Sequence, residues 1–282
     1  MTKENRSVVQ RRLIPSYIFL SLFSLFSVFP LYWMATAATN STVDVARGKI
    51  WFGTQAATNF KNLVATAAAQ GGGSSLKSFM GNSFLYATVQ TILCIFICSL
   101  AGYGFELYHD EWKDRLFAVL LMAMMIPGVA TMIPLFTMMS RLHFLNKVWG
   151  FVLPTVSTPF MIMMFRQNSR NFPVDIMEAA RIDGLSEFSI FFHMYVPVMK
   201  ATYAAAAVIT FMNAWNAYLW PRVVLTDNKA QTMPILIANM SNGYTVDYGM
   251  LMMGVLFCSV PTMVISFILQ KQFAEGITGS VK

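Results

Sequence analysis

The sequence predicts an all-α membrane protein with six transmembrane helices and a cytoplasmic helix-turn-helix between the fourth and fifth. Two observations predict it. Of 282 residues, 56% are hydrophobic and only 12% charged, half of the roughly 25% charge that soluble domains carry. Six stretches also meet or approach the ~20 mostly apolar residues that a helix needs to cross a bilayer.

The first span covers residues 15–38, after a cytoplasmic N-terminus of residues 1–14. Arg11 and Arg12 precede it, and Ala35-Thr36-Ala37 imitates a signal cleavage site. The uncharged run from residue 13 to 43 is far longer than a signal core of about 7–15 residues, so it reads as a retained span. Residues 39–81 form an extracytoplasmic loop. Its Gly71-Gly72-Gly73-Ser74-Ser75 run reads as a flexible linker. No Gly-Lys-Ser/Thr follows, so it is not a phosphate loop.

A helical core occupies residues 82–270. Its spans are expected at 82–105, 116–139, 149–165, 201–220 and 249–269. Pro127, Pro134, Pro154 and Pro261 fall inside them, where neighbouring helices can satisfy the freed carbonyls. A cytoplasmic segment (172–197) separates spans four and five, an extracytoplasmic loop (221–248) separates spans five and six, and 271–282 form a cytoplasmic tail. Twelve of the twenty Lys and Arg residues lie in or beside inner segments when the N-terminus is inside. That bias places both termini in the cytoplasm.

Several function classes are disfavoured. The net charge of +7 comes from scattered basic residues, which suits anionic lipid and not nucleic acid. No ionisable residue sits centrally in a span, which argues against ion-gradient coupling. Cys94, Cys98 and Cys258 lie in apolar stretches and read as packing residues, not a disulfide or metal framework. His109, His143 and His193 are far apart in sequence. Met122, Met124, Met125, Met132, Met138 and Met139 crowd span three and read as adaptable packing, not a copper path.

Residues 173–200 are strongly patterned. Pro173 suits the first turn of a helix, and Asp175 and Glu178 favour its positive end. Gly184 supplies a left-handed stop, and Ser186 can cap a second helix running to Pro197. Ala179 and Ala180, flanked by Glu178 and Arg181, offer a low surface for another backbone. The composition alone also fits an ordinary amphipathic interfacial loop.

Here the chain resembles a known family. Glu178-Ala179-Ala180, Gly184, Met194, Val196 and Pro197 stand at the spacings of the cytoplasmic signature of ATP-binding-cassette importer permeases. That signature reads Glu-Ala-Ala, three residues, Gly, nine residues, Ile-x-Leu-Pro, so Met194 and Val196 are conservative departures. Asn82-Ser83, Met125-Ile126-Pro127 and the run from Trp215 to Pro221 look like the sugar-importer branch. The tail from Phe273 to Lys282 is similar to the end of the smaller permease of maltose-type importers. The resemblance covers nearly all of the chain, least in residues 39–77.

What it implies is specific. Glu178, Ala179, Ala180, Arg181, Asp183 and Gly184 would form a coupling helix seated on an ATPase. In the tail, Gly276, Thr278 and Gly279 would reach between two ATPases, and the loop near 223–248 would meet the binding protein. Partners would be a second homologous permease, two cytoplasmic ATPase subunits, an extracytoplasmic sugar-binding protein and membrane lipid, with no nucleic acid. This chain would bind no cofactor and catalyse nothing, since ATP and Mg would sit on the partner ATPases. Its location would be a bacterial or archaeal cytoplasmic membrane.

A substrate pathway is read from amides and aromatics. Asn82, Tyr86 and Gln90 share one helical face, and Asn213, Asn216 and Trp220 lie close to one face of span five. Amides hydrogen-bond hydroxyls in both senses, which suits a neutral sugar; bonding between helices is the alternative use. Two rivals remain. A glycerol-3-phosphate or polyol importer would need a cation on the pathway, where Arg222 is the candidate. A membrane enzyme acting on lipid or polyprenyl substrates would need an acidic cluster. Glu106, His109, Asp110, Glu111 and Asp114 supply one, read here as a solvated charged turn.

Overall fold

A computed structural model describes the backbone of residues 3–108, 110–243 and 245–278, and side chains over 15–268 within those ranges. Helices follow one another without a strand among the described residues: α1 (Lys3–Ala37), α2 (Thr42–Ala46), α3 (Ala56–Gln70), α4 (Leu76–Leu107), α5 (Glu111–Ala123), α6 (Met132–Arg141), α7 (Val148–Val152), α8 (Pro159–Ser169), α9 (Val174–Ile182), α10 (Glu187–Ile190), α11 (Val196–Val198), α12 (Lys200–Trp215), α13 (Leu219–Val224), α14 (Met233–Ser241) and α15 (Tyr248–Thr278).

Three stretches are long and apolar enough to cross a membrane unbroken: Pro15–Ala37, Leu76–Leu107 and Tyr248–Ile268. Three more candidate spans are helix pairs that pass the same test only when taken together across a bend. Glu111–Ala123 and Gly128–Arg141 meet at 95°, Val148–Thr155 and Pro159–Ser169 at 52°, and Glu187–Val198 and Lys200–Trp215 at 82°. Span three is therefore not the single helix expected over 116–139. Pro127 cannot donate into the ladder, and a 3₁₀ turn over Gly128–Thr131 restarts it. Pro30 and Pro261 sit inside continuous helices, so proline alone does not decide where a crossing breaks.

The chain divides into two compact units. One holds α1, α2, residues to 66 and residues 237–257. Asp247 organises it, accepting from Thr42 Oγ1 at 2.6 Å and from the Met250 amide at 3.1 Å. Asn59 donates to the carbonyls of Ala38 and Asn40, both at 2.9 Å. Gly249 permits this approach, because a Cβ there would stand 2.4 Å from Asn40 O.

The second unit holds residues 67–236 and α15 from Cys258. Its first residues correct the expected flexible linker: Gly72 and Gly73 take φ of +58° and +90°, and the Gly73 amide donates to Ala68 O at 3.0 Å. The run is a capped turn that lets α4 begin at Leu76, earlier than residue 82. Small residues on α4 let α8 come close: a Cβ on Gly102 would meet Phe165 Cβ at 2.6 Å, the contact expected where packing rather than hydrophobicity joins helices. Cys94 and Cys98 are buried with Met161, Ile162, Phe165 and Ala206. Of the span-three methionines only Met139 is buried, while Met122, Met124, Met125 and Met138 are exposed. Packing between helices of this chain therefore does not account for most of them.

Candidate functional site

Two regions carry the candidate chemistry. The first is the helix-turn-helix. α9 starts at Val174, one residue after Pro173, which stands just outside the first turn. It stops at Gly184, whose φ is +79°. The Gly184 amide donates to Arg181 O and the Leu185 amide to Ala180 O, both at 3.0 Å, satisfying carbonyls that the helix end leaves open. Ser186 Oγ accepts from the Ser189 amide at 3.3 Å, capping α10. A π-helical turn over Phe191–Tyr195 follows. It feeds Phe191 and Tyr195 against Tyr103, with ring centroids 5.2 and 4.8 Å apart.

This packing settles which face of α9 is free. Met177 and Ala180 are buried in the aromatic core with Phe172, Ile190 and Tyr195. Ala180 was expected on the docking surface and lies on the opposite face. Glu178, Ala179, Asp183 and Gly184 are exposed. So are two apolar residues that the sequence reading passed over, Ile182 at 87% and Phe188 at 69%. Arg181 folds back as a staple: its Nε donates to Glu187 Oε1 at 2.8 Å, and its guanidinium lies 5.6 Å from the Tyr108 ring centroid. Tyr108 also donates to Glu187. Arg181 first, then Tyr108, holds the Glu187 carboxyl below its ordinary range.

Behind the knob sits an ion network that no sequence spacing announced. Arg166, buried near the end of α8, donates to Glu106 at 3.0 Å and to Asp114 at 2.6 Å, and Arg170 reaches Glu106 at 3.3 Å. Glu106 and Asp114 are thus committed to cations, not a solvated charged turn. Glu111 remains solvated beside Arg115 at 3.7 Å, and His109 lies outside the described residues.

The second region is a cavity of about 370 Å³ whose wall includes Gln90, Thr210, Asn213 and Trp220. Three of the six pathway candidates therefore meet. The other three do not. Asn82 donates to Lys229 O at 2.8 Å and Gln231 O at 3.0 Å, and Tyr86 donates to Ala230 O at 3.1 Å. Both hold a loop in place. Asn216 donates to Met212 O of its own helix at 2.9 Å. Trp220 is positioned by bonds from Nε1 to Gly150 O and Phe151 O, at 3.1 and 3.2 Å. Among the described residues no Lys, Arg, Asp or Glu lines the cavity, and Arg222 is not on its wall.

Of the tail candidates, Gly276 and Thr278 close α15, the Thr278 side chain is not described, and Gly279 lies outside the described residues. Among the described residues no cluster of three His, Cys, Asp or Glu could hold a metal.

Comparison with known proteins matches residues 95–279 to the binding-protein-dependent transport system inner membrane component family. The chain is 40% identical, over 98% of its length and 99% of the relative's, to the lactose transport system permease protein LacG of Rhizobium radiobacter. It is 34% identical, over 75% of each chain, to the arabinooligosaccharides transport system permease protein AraQ of Bacillus subtilis. In fold it is similar to a chain of a bacterial ABC transporter involved in the import of the acidic polysaccharide alginate. That match has a TM-score of 0.77 and 17% identity, and covers 97% and 99% of the two chains.

Proposed function

The chain belongs to the family of binding-protein-dependent transport system inner membrane components, and from that premise we propose that its cargo is a neutral sugar, specifically an oligosaccharide. It is a multi-pass permease subunit of an ABC importer and is not an enzyme; ATP is hydrolysed on separate subunits. It works with other importer components and a binding protein. The observation that carries the sugar reading is the cavity, whose wall offers amides, hydroxyls and aromatic rings and no charge. A phosphorylated cargo would leave its charge uncompensated there. Relatives that are lactose and arabinooligosaccharide permeases by name match at 40% and 34% identity, above the sn-glycerol-3-phosphate permeases at 28–30%.

A second homologous permease completes the bundle, two ATPase subunits carry ATP and Mg, and an extracytoplasmic sugar-binding protein delivers cargo. Both termini face the cytoplasm. The knob made by α9 and α10 rests on an ATPase through Glu178, Ala179, Ile182, Asp183 and Gly184, and the tail residues Gly276, Thr278 and Gly279 reach the ATPase pair. Nucleotide-driven closure draws the knobs together and turns the bundle from inward-open to outward-open.

The test is a reconstituted complex given labelled di- and trisaccharides or glycerol-3-phosphate. Saccharide accumulation dependent on ATP and binding protein is the expected result; uptake of glycerol-3-phosphate alone overturns the sugar reading. Separately, Glu178→Lys with Gly184→Leu should reduce ATPase assembly and uptake together. Unchanged uptake in that variant removes the coupling role.

A further inference from the structure

The permease reading leaves open which subunit touches the cargo, and the cavity bears on it. Along α4, one stripe of polar residues divides in two. Asn82 and Tyr86 are committed to the loop around Ala230. Gln90, one turn further along and only 8% exposed, lines the cavity. It has no hydrogen-bond partner among the described residues, and neither does Asn213 across the cavity.

Thr210 is the sharper case. A threonine inside a helix ordinarily turns its hydroxyl onto the carbonyl four residues back. Thr91 does so, donating to Ala87 O at 2.6 Å. Thr210, 4% exposed on α12, does not: its Oγ1 is buried without a hydrogen-bond partner. Its neighbour is the Cys94 thiol, which is a weak donor and weak acceptor. A buried hydroxyl left unpaired destabilises the chain that carries it. Thr210 lines a cavity with two free amides; its hydroxyl is turned toward Cys94 and away from the open space, and a turn about χ1 to another staggered rotamer would bring it to the wall beside those amides, all three able both to donate and to accept. Phe151, Phe160 and Trp220 supply apolar ring surface on the same wall.

We propose that this cavity is a binding subsite for one residue of a neutral sugar on this subunit itself, with hydroxyls bonded to Gln90, Thr210 and Asn213 and the ring against the aromatic wall. The inference rests on the sugar reading above and adds where on this chain the sugar is held. At about 370 Å³ the cavity is at the small end of the ~300–1,000 Å³ typical of ligand pockets, so one ring is held at a time. The absence of charge on the wall selects against phosphorylated and carboxylated sugars.

The experiment measures sugar moved per ATP hydrolysed by the reconstituted complex, because in such a complex the apparent KM reflects the binding protein. Thr210→Val keeps shape and removes the hydroxyl. Losing one hydrogen bond should lower the ratio about three- to tenfold, and Thr210→Ser should restore it. Asn213→Leu, at an exposed position that tolerates change, should lower it similarly. Thr91→Val, whose hydroxyl is already bonded, is the control and should leave the ratio alone. If Thr210→Val does not assemble, Asn213→Leu decides. Saccharide transport with wild-type ratios in both Thr210→Val and Asn213→Leu overturns the subsite and leaves the sugar reading standing. If the unmodified complex moves no saccharide, both fall.

Discussion

The underside of the knob and the wall of the cavity treat polar groups in opposite ways. Under the knob the charged side chains and Tyr195 are paired, Arg166 with Glu106 and Asp114, Arg181 with Glu187, and Tyr195 with Ser169 at 2.6 Å; the buried Tyr203 hydroxyl at the edge of this core is the exception. On the cavity wall Gln90 and Asn213 have no partner among the described residues, and Thr210 is buried without one. The proposed motor contact would have to hold its shape under load, which a cross-braced support with a free outer face provides. The proposed cargo site would have to hold and release, which suits groups left unpaired. On this reading pairing separates architecture from binding better than residue type does, since Asn82 and Asn213 are both asparagines of apolar helices.

The largest test of this contrast is Arg166→Ala. Removing the cation strands Glu106, whose side chain is 20% exposed, and Asp114, at 42%. Breaking a buried pair from one side costs about 3–5 kcal/mol, and the open Asp114 places this case at about 3 kcal/mol. Thermal unfolding in detergent reads it, and Glu106→Gln in the same chain should recover part of the loss. An unchanged midpoint would mean that the brace under the knob carries no load.

Gly184→Val comes next. A Cβ at Gly184 would meet nothing within 4 Å, so the whole effect is strain at φ +79°. A left-handed β-branched residue costs about 1–3 kcal/mol. Gly184→Asn should cost less, since Asn tolerates that region. Parallel unfolding curves of the two variants distinguish strain from a lost contact, which would affect both equally. Asn82→Ala should cost a further step less, about 1 kcal/mol for the bonds that hold Lys229 O and Gln231 O. Faster amide exchange through residues 228–233 would mark the loosened loop.

These residues also show what a sequence can disclose. The stop at Gly184 and the cap at Ser186 follow from rules that act within four residues, and both are legible. The facing of Ala180 is not, because it depends on Tyr195 and Phe172 packing from other segments. Arg166 finds its partners 60 and 52 residues away, beyond any helical spacing. Pro127 marks a 95° break while Pro261 does not; the two look alike locally, and only their neighbours distinguish them. Gln90, Asn213 and Trp220 were each readable as candidates, but their convergence required α4, α12 and α13 to be packed. The buried Thr210 hydroxyl carries no sequence signal at all, since threonine in a membrane helix usually bonds its own backbone.

The smallest predicted effect on stability is the most discriminating. Thr210→Val replaces an unpaired buried hydroxyl by a methyl of similar shape. Removing a polar group that has no partner is neutral or stabilising, by up to about 1 kcal/mol, whereas Thr91→Val discards a bond to Ala87 O and should cost about 1 kcal/mol. The two variants make the same chemical change on the α12 and α4 faces of the same unit, so a stability difference of that sign isolates pairing as the cause. Stability gained at Thr210 together with transport lost would identify the unpaired hydroxyl as one kept for binding at a cost to the fold. Equal destabilisation of both variants would show that Thr210 has a partner in the working protein, and the contrast between the two regions would fail at its most exposed point.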